Sequence, residues 1–403
     1  MTLLYKYRIF FLFILVQKIS FSQTWLQISD FPSTERDDGT CFVIGSKAYC
    51  GTGQQTGWIA VGDMYSFDMN TELWSTITAL PAGAERQYAS GFSDTNYGFV
   101  FGGKNGSNYY NDLYKYDPLT GNWQIKTPLP ALGRMGASCF VINGIAYIVG
   151  GRTSVNYTID EVWAYNITAD TWTQKNNFPL GTRWRAAAAS QNNKGYLIFG
   201  LDSANNYCNE LLEYNPITDT WAQVSTFPGN GRIYAAMQSI SDDLVITAGM
   251  DSLGVNYNDM WRLNTSNLVW QQLASIPAQG RRAGMVFNSS TTLYYTAGID
   301  QANTRLKETW KVFNPAGINE NSERVTVSVF PNPGTGKFNL SIGNLGFNKP
   351  AKIYILDVFG NYVQEVEWSN QNITIDISSL PKGLYFVKIE NENGIRIAKI
   401  MHQ

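Results

Sequence analysis

Three residue series along the chain share one interval. Trp25, Trp74, Trp123, Trp172, Trp221 and Trp270 each stand 49 residues apart. Pro32, Pro81, Pro130, Pro179, Pro228 and Pro277 keep the same step, as do Gly53, Gly102, Gly151, Gly200, Gly249 and Gly298. A fixed period of this length is the mark of an array in which each unit buries its apolar face against its neighbours. The third unit shows the local grammar. "RMGASCFVI" (134–142) reads as a strand a, and Asn143–Gly144 as a tight hairpin turn. "IAYIVGG" (145–151) reads as strand b, "EVWAYN" (161–166) as strand c and "TWTQK" (171–175) as strand d. Strand a is small-sided in unit after unit, as in "GAS" (136–138), "AAAAS" (186–190), "YAA" (234–236) and "AGM" (283–285), which suits strands that converge on an axis.

The sixth unit begins at Arg281 and ends with "ETWKVFNP" (308–315); position 319, where a seventh Trp would fall, is Asn319. Its missing strand d stands at the other end of the chain as "TWLQIS" (24–29). An open array would leave an unpaired strand edge that invites aggregation. The N-terminal strand is therefore expected to complete the last unit and close a circle.

The paired glycine, the strand-c aromatics and the Trp about six residues after them make residues 23–316 resemble the Kelch repeat. The double glycine is intact only at Gly102–Gly103 and Gly150–Gly151; the other units keep one of the two. The resemblance implies an all-β fold, a six-bladed Kelch-type β-propeller closed by the N-terminal strand.

After a polar linker (317–324) the period is gone, and residues 325–403 alternate strand and turn. Pro331–Asn332–Pro333, the Asp357…Gly360 turn, the segment Leu380…Gly383–Leu384–Tyr385 and the late Lys399 resemble the type A C-terminal sorting domain of the type IX secretion system of Bacteroidota. That resemblance implies an immunoglobulin-like β-sandwich, the outer-membrane translocon as partner, and a product at the cell surface or released. Residues 1–22 fit this route as a secretory signal: Lys6 and Arg8, then the apolar "IFFLFILV" (9–16), then Ser20 and Ser22. Its apolar core is far shorter than the ~20 residues a spanning helix needs, so no membrane span is expected.

Only 15% of residues are charged and the net charge is −2, which gives nucleic acid no basic surface to bind. Four cysteines occur, at 41, 50, 139 and 208, with no CxxC. Cys41 and Cys50 fall opposite each other if the chain turns at Gly45–Ser46, and either a disulfide or two small apolar thiols fits that placement. A single histidine, His402, denies zinc its usual ligands and excludes the copper radical chemistry of Kelch-like oxidases. No metal or cofactor is expected.

In a four-stranded antiparallel blade the d–a and b–c connections share one face. The d–a connections deliver Arg36, Arg86, Arg134, Arg183, Arg232 and Arg281, and the b–c loops carry Trp58, Tyr109, Tyr110, Tyr157, Tyr207 and Tyr257. An acid also recurs ahead of strand c, at Asp63, Asp112, Glu161, Glu210, Asp259 and Glu308. Two readings follow. The arginines line a ligand mouth, as at the matching strand-a entry in animal Kelch proteins, or the arginines and acids pair within each unit. A residue present in all six units serves the unit, because ligands are asymmetric. Pattern-breaking residues are the stronger ligand candidates: Glu85, Trp184, Arg185, Tyr234 and Arg282, with Lys104 and Arg152 beside them. An indole between guanidiniums suits either sugar stacking with carboxylate binding or a plug in the mouth. Asp202, Asp251 and Asp300 read as loop-shaping and exposed. The expected function is a non-catalytic surface module for glycans or an extracellular protein. Its alternative is a metal-free sugar isomerase, resembling the Kelch-type sialic-acid mutarotases, in which Glu85 works with Arg86 or Arg134.

Overall fold

The computed structural model describes residues 24–313, 315, 326–343, 352–358, 360–367, 372–391 and 394–403. The segments expected as a secretory signal (1–22) and a linker (317–324) lie outside the described residues. The chain divides into two compact units, Met1–Gly317 and Ile318–Gln403. Among the described residues there is no helix, and so none long and apolar enough to cross a membrane.

The first unit holds six four-stranded antiparallel sheets. Sheet three runs Ser138–Ile142, Ile145–Val149, Val162–Asn166 and Thr171–Lys175. Its outer strand has the expected limits, while its inner strand starts four residues late. The delay comes from Gly136, whose left-handed backbone (φ 59°) interrupts the ladder; Arg134–Met135 then pair separately with Arg152–Thr153. The other innermost strands are Thr40–Ile44, Ser90–Ser93, Ala187–Gln191, Ala236–Ile240 and Met285–Asn288. Each contacts the next, and the sixth contacts the first.

Two rings of backbone hydrogen bonds run through these contacts. In one, the residue two places after each repeated arginine donates its N–H to its counterpart in the preceding sheet. The bonds run Asp38→Ala283, Tyr88→Asp38, Gly136→Tyr88, Arg185→Gly136, Tyr234→Arg185 and Ala283→Tyr234, at 2.9–3.3 Å, and return to their start. All six residues are left-handed, with φ between 56° and 60°. In the other ring the second glycine of each unit donates to the carbonyl of the next sheet's arginine, from Gly53→Arg86 round to Gly298→Arg36. This explains the half-kept double glycine. The first position has φ of 55–69°, which Thr52, Phe199, Ala248 and Ala297 tolerate, whereas the second has φ of 90–106°. At Gly249 a Cβ would also meet Ala235 Cβ at 2.9 Å and the Ile233 carbonyl at 3.0 Å, so only glycine fits.

The sixth sheet takes its outer strand from the chain's start. Trp25–Ile28 pairs antiparallel with Thr309–Phe313, Trp25 opposite Val312. Trp25 also makes the bond its counterparts make. The indole N–H groups of Trp74, Trp123, Trp172 and Trp270 each reach a residue 45 places earlier, in the preceding sheet's outer edge. Trp25 donates to the Ala274 carbonyl at 2.7 Å, which is where that rule sends a residue at position 319. It is 4% exposed, among Ile276, Val286, Trp310 and Val312. Within the sheets, inner-strand aromatics stack on their cross-strand partners: Phe42 on Tyr49, Phe92 on Phe99, Phe140 on Tyr147 and Phe287 on Tyr294. The small residues alternating with them leave an axial cavity of about 290 Å³ at the a–b turn end.

The four cysteines are free thiols. Cys41 does face Cys50 across the first hairpin, but its Sγ–H donates to the Val286 carbonyl of the sixth sheet at 3.2 Å. The pair therefore packs as two small free thiols, Cys50 buried and Cys41 half-buried, rather than forming the disulfide.

In the second unit, Thr326–Phe330, Lys337–Gly343 and Asn372–Asp376 form one sheet. Lys352–Leu356, Tyr362–Glu367, Gly383–Asn391 and Gly394–His402 form another. Both contribute to one core that includes Phe338, Ile375, Ile353, Tyr385, Val387 and Ile400. The Pro331–Asn332–Pro333 segment is fastened to the last strand. Asn332 donates to the Lys399 carbonyl at 2.7 Å and accepts from the Met401 N–H at 3.0 Å. Asp357 caps its turn by accepting from the Asn361 N–H, and Gly360 supplies that turn's positive φ of 85°. Gly383 begins the strand that carries Tyr385, whose hydroxyl donates to the Pro381 carbonyl.

Candidate functional site

The six repeated arginines are 0–3% exposed, and each meets the repeated acid of its own sheet. The contacts are Arg36–Asp63 at 2.6 Å, Arg86–Asp112 at 2.6 Å, Arg134–Glu161 at 2.7 Å, Arg183–Glu210 at 3.4 Å, Arg232–Asp259 at 2.6 Å and Arg281–Glu308 at 2.9 Å. The acid's length decides the geometry. The three aspartates accept a two-pronged contact, as Asp259 does at 2.6 and 2.7 Å. The glutamates are held through one oxygen, and the Oε2 of Glu161 and of Glu308 also accepts an indole N–H, from Trp163 and Trp310. Burial alone would raise the carboxyls of Asp63, Glu161 and Glu308, but the hydrogen bonds and charge of their arginines outweigh it and hold them low. The guanidiniums also donate to backbone carbonyls, as Arg232 does to Ala248 at 3.0 Å and Arg134 to Leu132 at 3.3 Å. These arginines brace the sheets. As ligand candidates, Arg36, Arg86, Arg134, Arg183, Arg232 and Arg281 are corrected by their burial.

The surface inside them is built by the left-handed ring. Its backbone repeats, but its side chains do not: Asp38, Tyr88, Gly136, Arg185, Tyr234 and Ala283. A left-handed backbone costs a non-glycine residue roughly 1–2 kcal/mol, here held in place by a closed hydrogen-bond circuit, and such strain gathers at functional sites. Between sheets one and six this ring opens into a pocket of about 480 Å³ lined by Asp37, Asp38, Trp58, Tyr88, Tyr234 and Arg282 among others.

Trp184 is buried, 4% exposed, against Met135, Leu201 and Ile233. It walls the mouth and offers no free face for a sugar. The exposed indole is Trp58, 80% exposed, with the Arg305 guanidinium 5.6 Å from its ring centre. Arg185 lies 3.7 Å from the Trp184 ring, 3.8 Å from Tyr234 and 4.8 Å from Tyr88. Arg152 stands over Tyr157 at 4.6 Å and Lys104 over Tyr109 at 5.3 Å. Arg282 donates to the side-chain oxygens of Asn256 and Asn303, both at 3.0 Å. Among the described residues, no carboxylate lies within ion-pair distance of Lys104, Arg152, Arg185 or Arg282. Glu85 is half-buried and accepts from the Gly83 N–H at 3.2 Å; Arg86 and Arg134, its expected partners, are committed to Asp112 and Glu161.

Two acids complete the mouth. Asp37 accepts from Arg305 Nε at 2.6 Å, and burial nonetheless leaves its carboxyl raised. Burial pushes Asp38 up to about 8, and the charge of Asp37 adds to this, against the pull of Arg185, Tyr88 and Arg282. Burial lowers Lys104, and the charges of Arg152 and Arg185 lower it further. Sequence reasoning passed over Asp37, Asp38, Tyr88 and Arg305. The usable signal was positional: counting two places on from each arginine picks out the left-handed ring. Asp202 and Asp251 shape their loops by accepting backbone N–H groups, and Asp300 does so from Thr304. Asp251 and Asp300 are buried rather than exposed, because those N–H groups enclose them.

The solved structure of YjhT is similar to this chain with a TM-score of 0.61 at 18% identity, over 70% of this chain and 96% of that one. At that identity the likeness is one of fold, and the fold is a β-propeller. The family model of the KLHDC2/KLHL20/DRC7 Kelch-repeats domain matches residues 40–230 and 136–319. The chain belongs to the Kelch-repeat family. A second model, the secretion system C-terminal sorting domain, matches residues 328–403. The chain thus ends in a type IX sorting domain, which implies contact with that machinery and indicates secretion to the cell surface or outside the cell. A comparison with curated proteins gives no match.

Proposed function

We propose that this chain is a secreted six-bladed Kelch propeller that binds glycans through its d–a/b–c face. In this reading residues 1–22 are the export signal, 23–316 the propeller, 317–324 a linker and 325–403 an immunoglobulin-like sorting sandwich. The two closed backbone circuits and the Ala274 bond of Trp25 support six blades joined by the N-terminal strand. The observation that carries the binding role is the mouth pocket: an open cavity with an exposed indole, tyrosines and Arg282, a cation with no acid in ion-pair distance. Trp58 is the stacking surface for a sugar ring, and Arg282 with its two asparagines is a hydrogen-bonding rim. A glycan array probed with wild type and Trp58→Ala tests this. Wild type binds a defined set of glycans, and Trp58→Ala weakens binding several-fold, as the roughly 1 kcal/mol of a stacked ring requires. Binding to extracellular protein with no glycan signal would overturn the glycan reading.

One observation favours an enzymatic reading as well. Asp38 lines the same pocket with a carboxyl at about 8, beside Tyr88 and Arg185, which suits proton transfer near neutral pH. A sugar mutarotase would then use Asp38, since the partners expected for Glu85 are tied up. Exchange of anomers followed by NMR separates the readings. Binding without exchange supports the module; accelerated exchange lost in Asp38→Asn supports the enzyme.

A further inference from the structure

Every repeated arginine of this protein has an acid, whereas Arg185 has none. Its backbone is pinned, its N–H donating to the Gly136 carbonyl at 3.0 Å and its carbonyl accepting from Tyr234 at 3.3 Å. Its guanidinium is boxed by Trp184, Tyr234 and Tyr88, yet no described residue accepts a hydrogen bond from it, and its Nε is buried without a partner. The Trp184 indole N–H beside it is buried and unpartnered too. Burial lowers the Arg185 pKa, the sign of a cation held where water solvates it poorly. Lys104 and Arg152 add charge of the same sign nearby. The side chain is otherwise partly exposed, and an anion reaching it from solvent would complete the arrangement.

We propose that the mouth seats a carboxylate on the guanidinium of Arg185, so that the saccharide bound on this face is a sugar acid. The seat stands on the geometry of Arg185; its assignment to a sugar acid rests on the glycan-binding reading. Two ring centres lie within 4 Å of the guanidinium carbon, while the N–H edge of the fork has no described acceptor. A flat, two-oxygen group matches that edge with parallel N–H···O bonds, and a tetrahedral oxyanion matches it less well. Asp38 is the built-in competitor. It faces Asp37, Tyr88, Arg185 and Arg282, and it stays protonated up to about pH 8. Above that pH its own charge compensates Arg185 and repels the ligand.

The test uses the ¹⁵N-labelled chain and the resolved signals of Arg185 Nε–H and Trp184 Nε1–H. The probes are methyl β-D-glucuronide, its neutral twin methyl β-D-glucoside, sodium acetate and sodium sulfate. The glucuronide is expected to shift both signals saturably and to bind about tenfold or more tighter than the glucoside, the range of a charge-assisted pair. Its affinity falls as pH rises through about 8, and Asp38→Asn removes that fall. Arg185→Gln abolishes the preference for the glucuronide; should it fail to fold, the pH response of Asp38→Asn carries the test alone. Equal binding of glucuronide and glucoside overturns the carboxylate seat and leaves the glycan reading intact. Shifts with acetate but with neither saccharide uphold the seat and overturn the glycan reading. Sulfate binding as tightly as acetate, or no shift with any probe, overturns the proposal.

Discussion

Replacing Trp25 by Ala tests whether the first described strand completes the sixth sheet. A buried Trp removes about 150–250 Å² from water, worth roughly 4–6 kcal/mol at ~25 cal/mol per Å² as an upper bound. Measured truncations of buried Trp fall at about 3–5 kcal/mol, including relaxation of the site. Trp25 is 4% exposed and also loses a 2.7 Å bond to the Ala274 carbonyl, so the expected loss lies in that range. Trp123→Ala is the control: its indole makes the equivalent bond to the Thr78 carbonyl, but its strand is held by chain on both sides. Both variants lower the urea midpoint. Only Trp25→Ala loosens a strand whose sheet partners all lie far along the chain, so only there do backbone amides facing the Thr309–Phe313 edge lose hydrogen-exchange protection well below the unfolding midpoint. A midpoint within about 0.5 kcal/mol of wild type, or protection unchanged at that edge, would refute the reasoning.

Arg232→Met leaves Asp259, whose side chain is only 12% exposed, without its cation. It should cost about 3–5 kcal/mol in denaturant unfolding, with most of the loss recovered in Arg232→Met/Asp259→Leu; a neutral single variant would return that arginine to the ligand candidates. Asp38→Asn changes the pH dependence of stability with a definite sign. Between the ordinary value of 3.8 and about 8, wild type holds a proton that the unfolded chain has released, so its stability falls as pH rises. Asparagine carries no such proton and accepts the left-handed backbone, so the variant gains on wild type steadily across that window in thermal melts. A constant difference between the two from pH 4 to pH 8 would mean that Asp38 ionises normally.

Much of the scaffold was legible because period, strand and turn are written in residue types. The 49-residue interval foretold sheet after sheet and sent Trp25 to the empty seventh position. The pairing of repeated arginines with repeated acids was legible for the same reason: symmetric residues answer a symmetric backbone. The site was only half legible. Arg185, Tyr234 and Arg282 stood out as departures from the pattern, but Asp38 and Tyr88 did not. Their common feature is a positive φ, which leaves no mark in sequence when the residue is not glycine. Burial was the other blind spot. Trp184 sits between two arginines and looks like a binding surface, whereas Trp58 sits in a plain polar loop. The fold inverts these roles, enclosing Trp184 under Met135, Leu201 and Ile233 and leaving Trp58 in solvent.

The most direct test of the account is a crystal structure of the protein with the glycan that binds it most tightly on an array. The account predicts density in the pocket inside the left-handed ring, stacked on Trp58 and within hydrogen-bond reach of Arg282. Density at the a–b turn end, over the axial cavity lined by Phe42, Phe92 and Phe140, would contradict it.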